Sequence, residues 1–244
     1  MPSFFINPSA IVDDEITLDP QESHHIQRVL RLDVGDEIML FDGIGNKYLA
    51  VVTSNTSQHV KAKLLQKQTL EPSSVNLTLM QCLPRLDKMD LIVQKAVELG
   101  VSRIIPVISQ RSQAAPLDRL ADKQTRWQRI AQEAAKQCGQ PIPPRVEKAQ
   151  KLPSLIDQTP ADALCIACHE VTPHTSLKTL LHRVPNSQTI NLLIGSEGGL
   201  TPDEADELHR HGWKLAALGP RILRSETAAI TALGIIQYEL GDWE

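Results

Sequence analysis

Asn191-Leu-Leu-Ile-Gly-Ser-Glu-Gly-Gly-Leu-Thr-Pro-Asp203 is an apolar run that breaks into glycine, then charge, then a helix start. Leu192, Leu193 and Ile194 read as a buried strand. Gly195, Gly198 and Gly199 let the backbone turn tightly and come close to a ligand. Thr201 is placed to cap a helix, with Pro202 at its first position and Glu204 at its third. Leu215-Ala-Ala-Leu-Gly-Pro-Arg-Ile-Leu-Arg-Ser-Glu-Thr-Ala-Ala229 repeats the scheme: a short strand, a stop at Gly219-Pro220, and a helix from near Ser225. Two strand-to-helix turns this close in sequence predict one site at the carboxyl ends of neighbouring parallel strands, where open α/β sheets bind ligands.

The turns also say which ligand signatures are missing. Neither carries G-x-G-x-x-G, and no lysine follows the glycines as a phosphate loop requires. Gly195 to Gly199 has the glycine spacing of a nucleophile elbow, but Glu197 stands where the serine should be. Ser196 is therefore a poor nucleophile.

Outward from these turns, the chain from Leu77 onward alternates strand and helix. Residues 77–83, 103–108, 163–167, 190–194 and 214–218 read as strands. Residues 85–99, closed by Gly100, and 117–138 read as helices; 176–182 is a shorter one, and the last helix runs through Leu240. This order predicts an α/β domain with a mostly parallel sheet covered on both faces. Residues 1–70 read as short strands around Gly-rich turns, which suggests a small β-barrel. Asp19-Pro-Gln-Glu22 forms a capping box that opens its one helix, through Leu30. Pro72 and two serines mark residues 71–76 as a linker, so the expected domains are 1–70 and 77–244.

Leu193-Ile-Gly-Ser-Glu-Gly-Gly199 and Leu218-Gly-Pro-Arg-Ile-Leu-Arg-Ser-Glu-Thr-Ala228 together resemble the SPOUT RNA methyltransferases. Within them they are similar to the family that methylates N3 of uridine in small-subunit (16S) ribosomal RNA. Lys88-Met-Asp90, Gln94-Lys-Ala-Val-Glu-Leu-Gly100 and the stretch from His25 to Arg31 resemble the same family, so the similarity covers nearly the whole chain. It implies a C-terminal trefoil knot in the α/β domain, a PUA-like RNA-binding barrel before it, and a homodimer. It implies S-adenosylmethionine as methyl donor and ribosomal RNA, in the assembled 30S particle, as acceptor. The donor site would comprise Ile194, Gly195, Gly198 and Gly199 of the first turn. From the second it would take Leu218, Gly219, Ile222, Leu223, Ser225, Thr227 and Ala228. Two departures stand out: Ser196 where proline is usual, and Gln140 where arginine is common after Gln137-Cys-Gly139.

Methyl transfer from a sulfonium to a ring nitrogen needs donor and acceptor in line and close. The uridine N3 proton must also leave, which calls for a base or a group that stabilises the anion. Glu197 is the candidate acceptor and Arg224 the candidate anion-stabilising group. Candidate RNA contacts are Arg28 and Arg31 on the barrel helix, Lys88 and Lys95 in the family-like stretch, and Arg111 after a strand end. Two other readings compete: an RNA-binding protein without catalysis, and a nucleotide-binding enzyme of another kind. The intact glycine turns argue against the first, the missing phosphate loop and serine elbow against the second.

Charge is compatible with an RNA partner. Residues 76–150 carry 12 Lys and Arg against 7 Asp and Glu, while the flanking segments are acidic and the whole chain has a formal net charge of −4. A phosphate-contacting face should draw on the basic middle. No apolar run reaches the roughly 18 residues of a membrane span. Cys82, Cys138, Cys165 and Cys168 are few and unevenly spaced, which fits a cytoplasmic protein better than a disulfide framework. Cys165-Ile-Ala-Cys168 falls on a strand, with no second pair to complete a metal site, and reads as buried and structural.

Overall fold

A computed structural model of the chain describes residues 1–70, 73–85, 88–112, 117–158, 162–170, 175–183 and 189–243, with the side chains of 117–119 outside the description. It divides into two compact units: residues 1–72 with 135–143, and residues 73–134 with 144–244.

The first unit is strand-rich because its short segments alternate apolar and polar residues. β1 (Ser3–Phe5), β2 (Ile11–Val12) and β3 (Glu15–Thr17) precede α1 (Pro20–His24). β4 (Glu37–Phe41), β5 (Asn46–Asn55) and β6 (Val60–Thr69) follow it. They form one six-stranded sheet in the order β1-β4-β5-β6-β3-β2. One face of these strands shares a single core that includes Phe4, Ile16, Ile38, Leu40, Val52 and Val60. Asp19 caps α1 by accepting the Glu22 N–H at 2.8 Å. Only half of the expected box forms, because the Glu22 carboxylate is drawn elsewhere: it pairs with the Lys136 ammonium at 2.5 Å, and both side chains are largely buried. That pair helps explain why residues 135–143 belong to this unit. Beyond His24 the helix widens to π-type turns over His25–Leu30 and ends at Arg31 with φ 54°.

The second unit begins with β7 (Asn76–Cys82), α2 (Lys88–Glu98), β8 (Arg103–Ile108) and α3 (Leu117–Cys138), whose last turn lies in the first unit. Next come β9 (Arg145–Val146), β10 (Gln150–Lys151) and α4 (Leu152–Asp157), three short elements not expected from the sequence. The series closes with β11 (Leu164–Cys168), α5 (Leu177–Leu181), β12 (Thr189–Ile194), α6 (Pro202–Arg210), β13 (Lys214–Ala216) and α7 (Ser225–Leu240). Every strand pair is parallel, in the order β10-β8-β7-β12-β11-β13 with β9 beside β8. β7 and β12 are buried almost end to end, as strands covered on both faces should be. On one face Met80, Val107, Ala167 and Leu193 pack with Leu155 of α4, Leu208 of α6 and Trp213. Side chains alternate along a strand, so Leu79 and Leu192 serve the other face. Gly100 ends α2 at φ +76°, and the Gln237 amide of α7 donates to the Leu99 carbonyl at 2.9 Å.

The predicted cap of α6 is complete. Thr201 accepts the Glu204 N–H at 3.2 Å, and Glu204 accepts the Thr201 N–H at 2.9 Å and the Gln110 N–H at 2.8 Å. Thr201→Ala should therefore cost about 1 kcal/mol, the usual scale of a lost cap. Glu204→Ala strands two partly buried donors and should cost about 2–3 kcal/mol. Urea unfolding of the two variants checks the order; equal losses would mean that the Gln110 contact contributes nothing.

Candidate active site

The first turn leaves β12 at Ile194 and folds back at once: the Gly199 N–H donates to the Ser196 carbonyl at 3.0 Å, with Gly199 at φ +67°. Glycine is required here for space as well. A Cβ on Gly195 would stand 3.1 Å from the Gly199 Cα, and one on Gly198 would stand 3.1 Å from the Arg111 Cβ. The loop after β8 braces the turn from outside. Arg111 donates to the carbonyls of Gly198 at 2.7 Å and Leu200 at 3.3 Å. The Ser196 hydroxyl donates to the Arg111 carbonyl at 3.0 Å, a bond that the usual proline could not make.

The second turn leaves β13, passes Gly219 at φ +127°, and reaches α7 with Arg224 in extended conformation as N-cap. The Ser225 hydroxyl donates to the Gly195 carbonyl at 2.6 Å. The buried Gln81 amide lies against both, 3.0 Å from the Ser225 hydroxyl and 3.4 Å from the Gly195 carbonyl. These bonds fasten the start of α7 to the end of β12.

The two turns enclose a cavity of about 260 Å3. Its apolar wall is Ile194, Leu218, Leu223 and Ala228, with Ile222 at the rim, 80 % exposed. Gly195, Gly199, Gly219 and Ser225 also line it, as do Glu197 and Arg224. Gly198 and Thr227, predicted with them, are not on the wall. Sequence reading missed Arg221 and the end of β11, namely Cys168, His169 and Glu170. The rule that ligands sit beyond the carboxyl ends of parallel strands could have found the latter.

Glu197 is held from two sides. Its carboxylate accepts the Arg85 N–H at 3.1 Å and pairs with the Lys88 ammonium at 3.0 Å; Lys88 also reaches Glu226 at 3.2 Å. Burial alone would push the Glu197 carboxyl up, but the Lys88 ammonium, its own N–H and that of Arg85 outweigh it and hold it below the usual 4.5. The same two carboxylates hold the Lys88 ammonium above its usual 10.5. Of the candidate RNA contacts, Lys88 and Arg111 are thus engaged within the site, and Lys95 pairs with Glu98 at 2.8 Å. Arg28 and Arg31 are exposed on the first unit. Burial raises both strand thiols, Cys168 to about 12 although that residue keeps some exposure, so neither serves as a thiolate near neutral pH.

Residues 71–237 match the RNA methyltransferase domain family and residues 18–65 the RNA methyltransferase PUA domain family. A ribosomal RNA small subunit methyltransferase E from Synechocystis is 31% identical over 235 residues, 95% of this chain and 75% of that protein. The chain belongs to the ribosomal RNA small subunit methyltransferase E family. The Bacillus subtilis member is 29% identical over 90% of this chain and 88% of its own length. The crystal structure of the Neisseria gonorrhoeae member, bound to S-adenosyl methionine, superposes with a TM-score of 0.90 at 31% identity, covering 100% of both chains. A putative methyltransferase from Legionella pneumophila, also with bound cofactor, gives 0.87 at 28% identity over 99% of this chain and 98% of that one.

The charge pattern of this family member makes a pH prediction. A carboxyl whose folded pKa is depressed adds stability that is present above its ordinary pKa and lost as pH falls through the folded one. A raised ammonium adds stability that is present below its ordinary pKa and lost as pH rises through the folded one. The contribution of the Lys88–Glu197 pair should therefore be level from about pH 5 to 10. Glu197→Gln should be less stable than wild type across that plateau, and the gap should close below pH 4.5. Denaturant unfolding from pH 3 to 8 reads it; a gap independent of pH would refute the charged pair.

Proposed function

We infer that the protein transfers a methyl group from S-adenosylmethionine to small-subunit ribosomal RNA, and we propose N3 of a specific uridine of the 16S molecule as the acceptor. The observation that carries the reading is the meeting of both glycine turns in one cavity with Glu197 and Arg224 on its wall. The residues present fit the donor. The apolar wall suits a flat adenine, and Gly219, at a φ that a side chain would strain, offers its backbone groups to a polar edge. S-adenosylmethionine, when bound, supplies the electrophilic methyl group. Arg224 is proposed to stabilise negative charge on the uracil, and Glu197 to accept the N3 proton. Its depressed pKa makes Glu197 always ionised near neutrality but a weak base, so positioning must share the work.

The wider reading follows the same lines. Residues 1–70 are proposed as the RNA-binding domain, with Arg28 and Arg31 as contacts. Residues 71–76 are proposed as the linker and 77–244 as the catalytic domain, apart from residues 135–143, which belong to the first compact unit. Lys88, Lys95 and Arg111 would meet RNA only by sharing or exchanging their present partners. The strand order β12-β11-β13 supports a knotted C-terminal segment. The acceptor is proposed to be the assembled 30S particle, whose shape a two-unit protein can read, in the cytoplasm. No described helix is long and apolar enough to cross a membrane.

A homodimer through α7 is supported by an open apolar cleft of Leu99, Ile230, Ile235, Tyr238 and Trp243, with Tyr238 71 % exposed. Light scattering at micromolar concentration should give twice the chain mass of 27.0 kDa; a monomer mass would refute the dimer.

Single-turnover methylation of 30S particles, read by nucleoside mass spectrometry, tests the reaction. The product should be 3-methyluridine. Glu197→Gln keeps the shape and removes the acceptor, so the rate should fall about 10²-fold or more at saturating donor. Arg224→Lys keeps the charge and loses the planar fork, and a comparable loss would indicate bidentate contact. Wild-type rates in both variants would remove these residues from the mechanism, and a methyl group on ribose or cytosine would remove the N3 assignment.

A further inference from the structure

Two carboxylates line the cavity, and among the described residues only one of them, Glu197, has an ion-pair partner. Glu197 is taken by Lys88 at 3.0 Å. Glu170 has no ion-pair partner among the described residues. It follows β11, whose neighbours in the sheet are β12 and β13, so it stands at the end of the strand between the two turns. The first turn presents bare glycine to it: a Cβ on Gly199 would lie 3.7 Å from the Glu170 Oε1. Arg111 and His169, the cationic groups beside it, do not quench it. The Arg111 guanidinium is engaged with the carbonyls of Gly198 and Leu200. The His169 imidazole is held below its usual 6.5 by burial and by Arg111, against the pull of Glu170, and is neutral near pH 7.

Glu170 is solvated when the cavity is empty, and a ligand seated between the two turns would bring its own groups beside this carboxylate, where an ammonium forms a charge-assisted bond. Arg221, on the second turn, lines the same cavity and offers the opposite charge. Carboxylate on one element and guanidinium on another match a zwitterion, an ammonium beside a carboxylate. We propose that Glu170 binds the α-ammonium group at the amino acid end of the methyl donor. This rests on the donor reading above and adds a specific contact to it. Glu170 would then sort ligands by whether they carry that end, which base and ribose contacts cannot do.

Calorimetric titration of the full chain and of Glu170→Gln with two ligands tests this. S-adenosylhomocysteine carries the amino acid end, while 5′-methylthioadenosine keeps base, ribose and sulfur and lacks it. Glu170 is exposed, so the substitution should leave the melting temperature unchanged. Glu170→Gln should weaken S-adenosylhomocysteine by about tenfold, the scale of a lost charge-assisted bond, and leave methylthioadenosine within about twofold. Equal weakening of both ligands would assign the carboxylate to the ribose and overturn the proposal, as would no change in either. Failure of the wild type to bind S-adenosylhomocysteine would be a different result, and would overturn the donor reading itself.

Discussion

The bond from the Ser225 hydroxyl to the Gly195 carbonyl, 2.6 Å long and backed by the Gln81 amide, is the constraint on which the site depends. It joins residues from the ends of β7 and β12 and the start of α7, which are far apart in sequence. Any one such bond contributes only about 1 kcal/mol net. Its weight lies in the alternative: Gln81 and Ser225 are buried, and separating the turns would strand their polar groups away from water. The distance between the glycine turns is therefore fixed before any ligand arrives.

Within that frame the charges are ordered. Lys88 reaches Glu197 on the first turn and Glu226 on the first helical turn of α7, so one ammonium ties the same two elements that Ser225 ties. Arg111 holds the outer side of the first turn through carbonyl oxygens. Both cations were expected to meet RNA, and both have structural duties at the two turns. For a member of the ribosomal RNA small subunit methyltransferase E family, this couples the shape of the cavity between the turns to the basic segment of the chain.

The parallel sheet was legible because its strands are near-continuous apolar runs and its turns carry glycine and caps; Thr201 and Glu204 bond as the pattern predicts. The short elements between Arg145 and Asp157 were not legible, since two-residue strands leave no periodicity to read. The membership of residues 135–143 in the first unit was hidden for another reason. It involves a buried pair, Glu22 with Lys136, whose partners lie far apart in sequence. That pair also took Glu22 away from its capping role. At the site, most of the turn residues assigned to the donor line one cavity, although Gly198 and Thr227 do not, and Glu170 was missed because a glutamate after an apolar strand looks like an ordinary solvated end. Arg111 resembled a free loop cation for the same reason: nothing local in the sequence names the carbonyls it reaches.

The central claim is that the two turns act as one unit around one donor. Amide hydrogen exchange with and without S-adenosylhomocysteine tests this most directly, followed at residues 197–200 and 218–225. Both segments should slow together, with the same dependence on ligand concentration, because the Gly195–Ser225 link makes them open together. Protection confined to one turn, or protection of the two at different ligand concentrations, would contradict it.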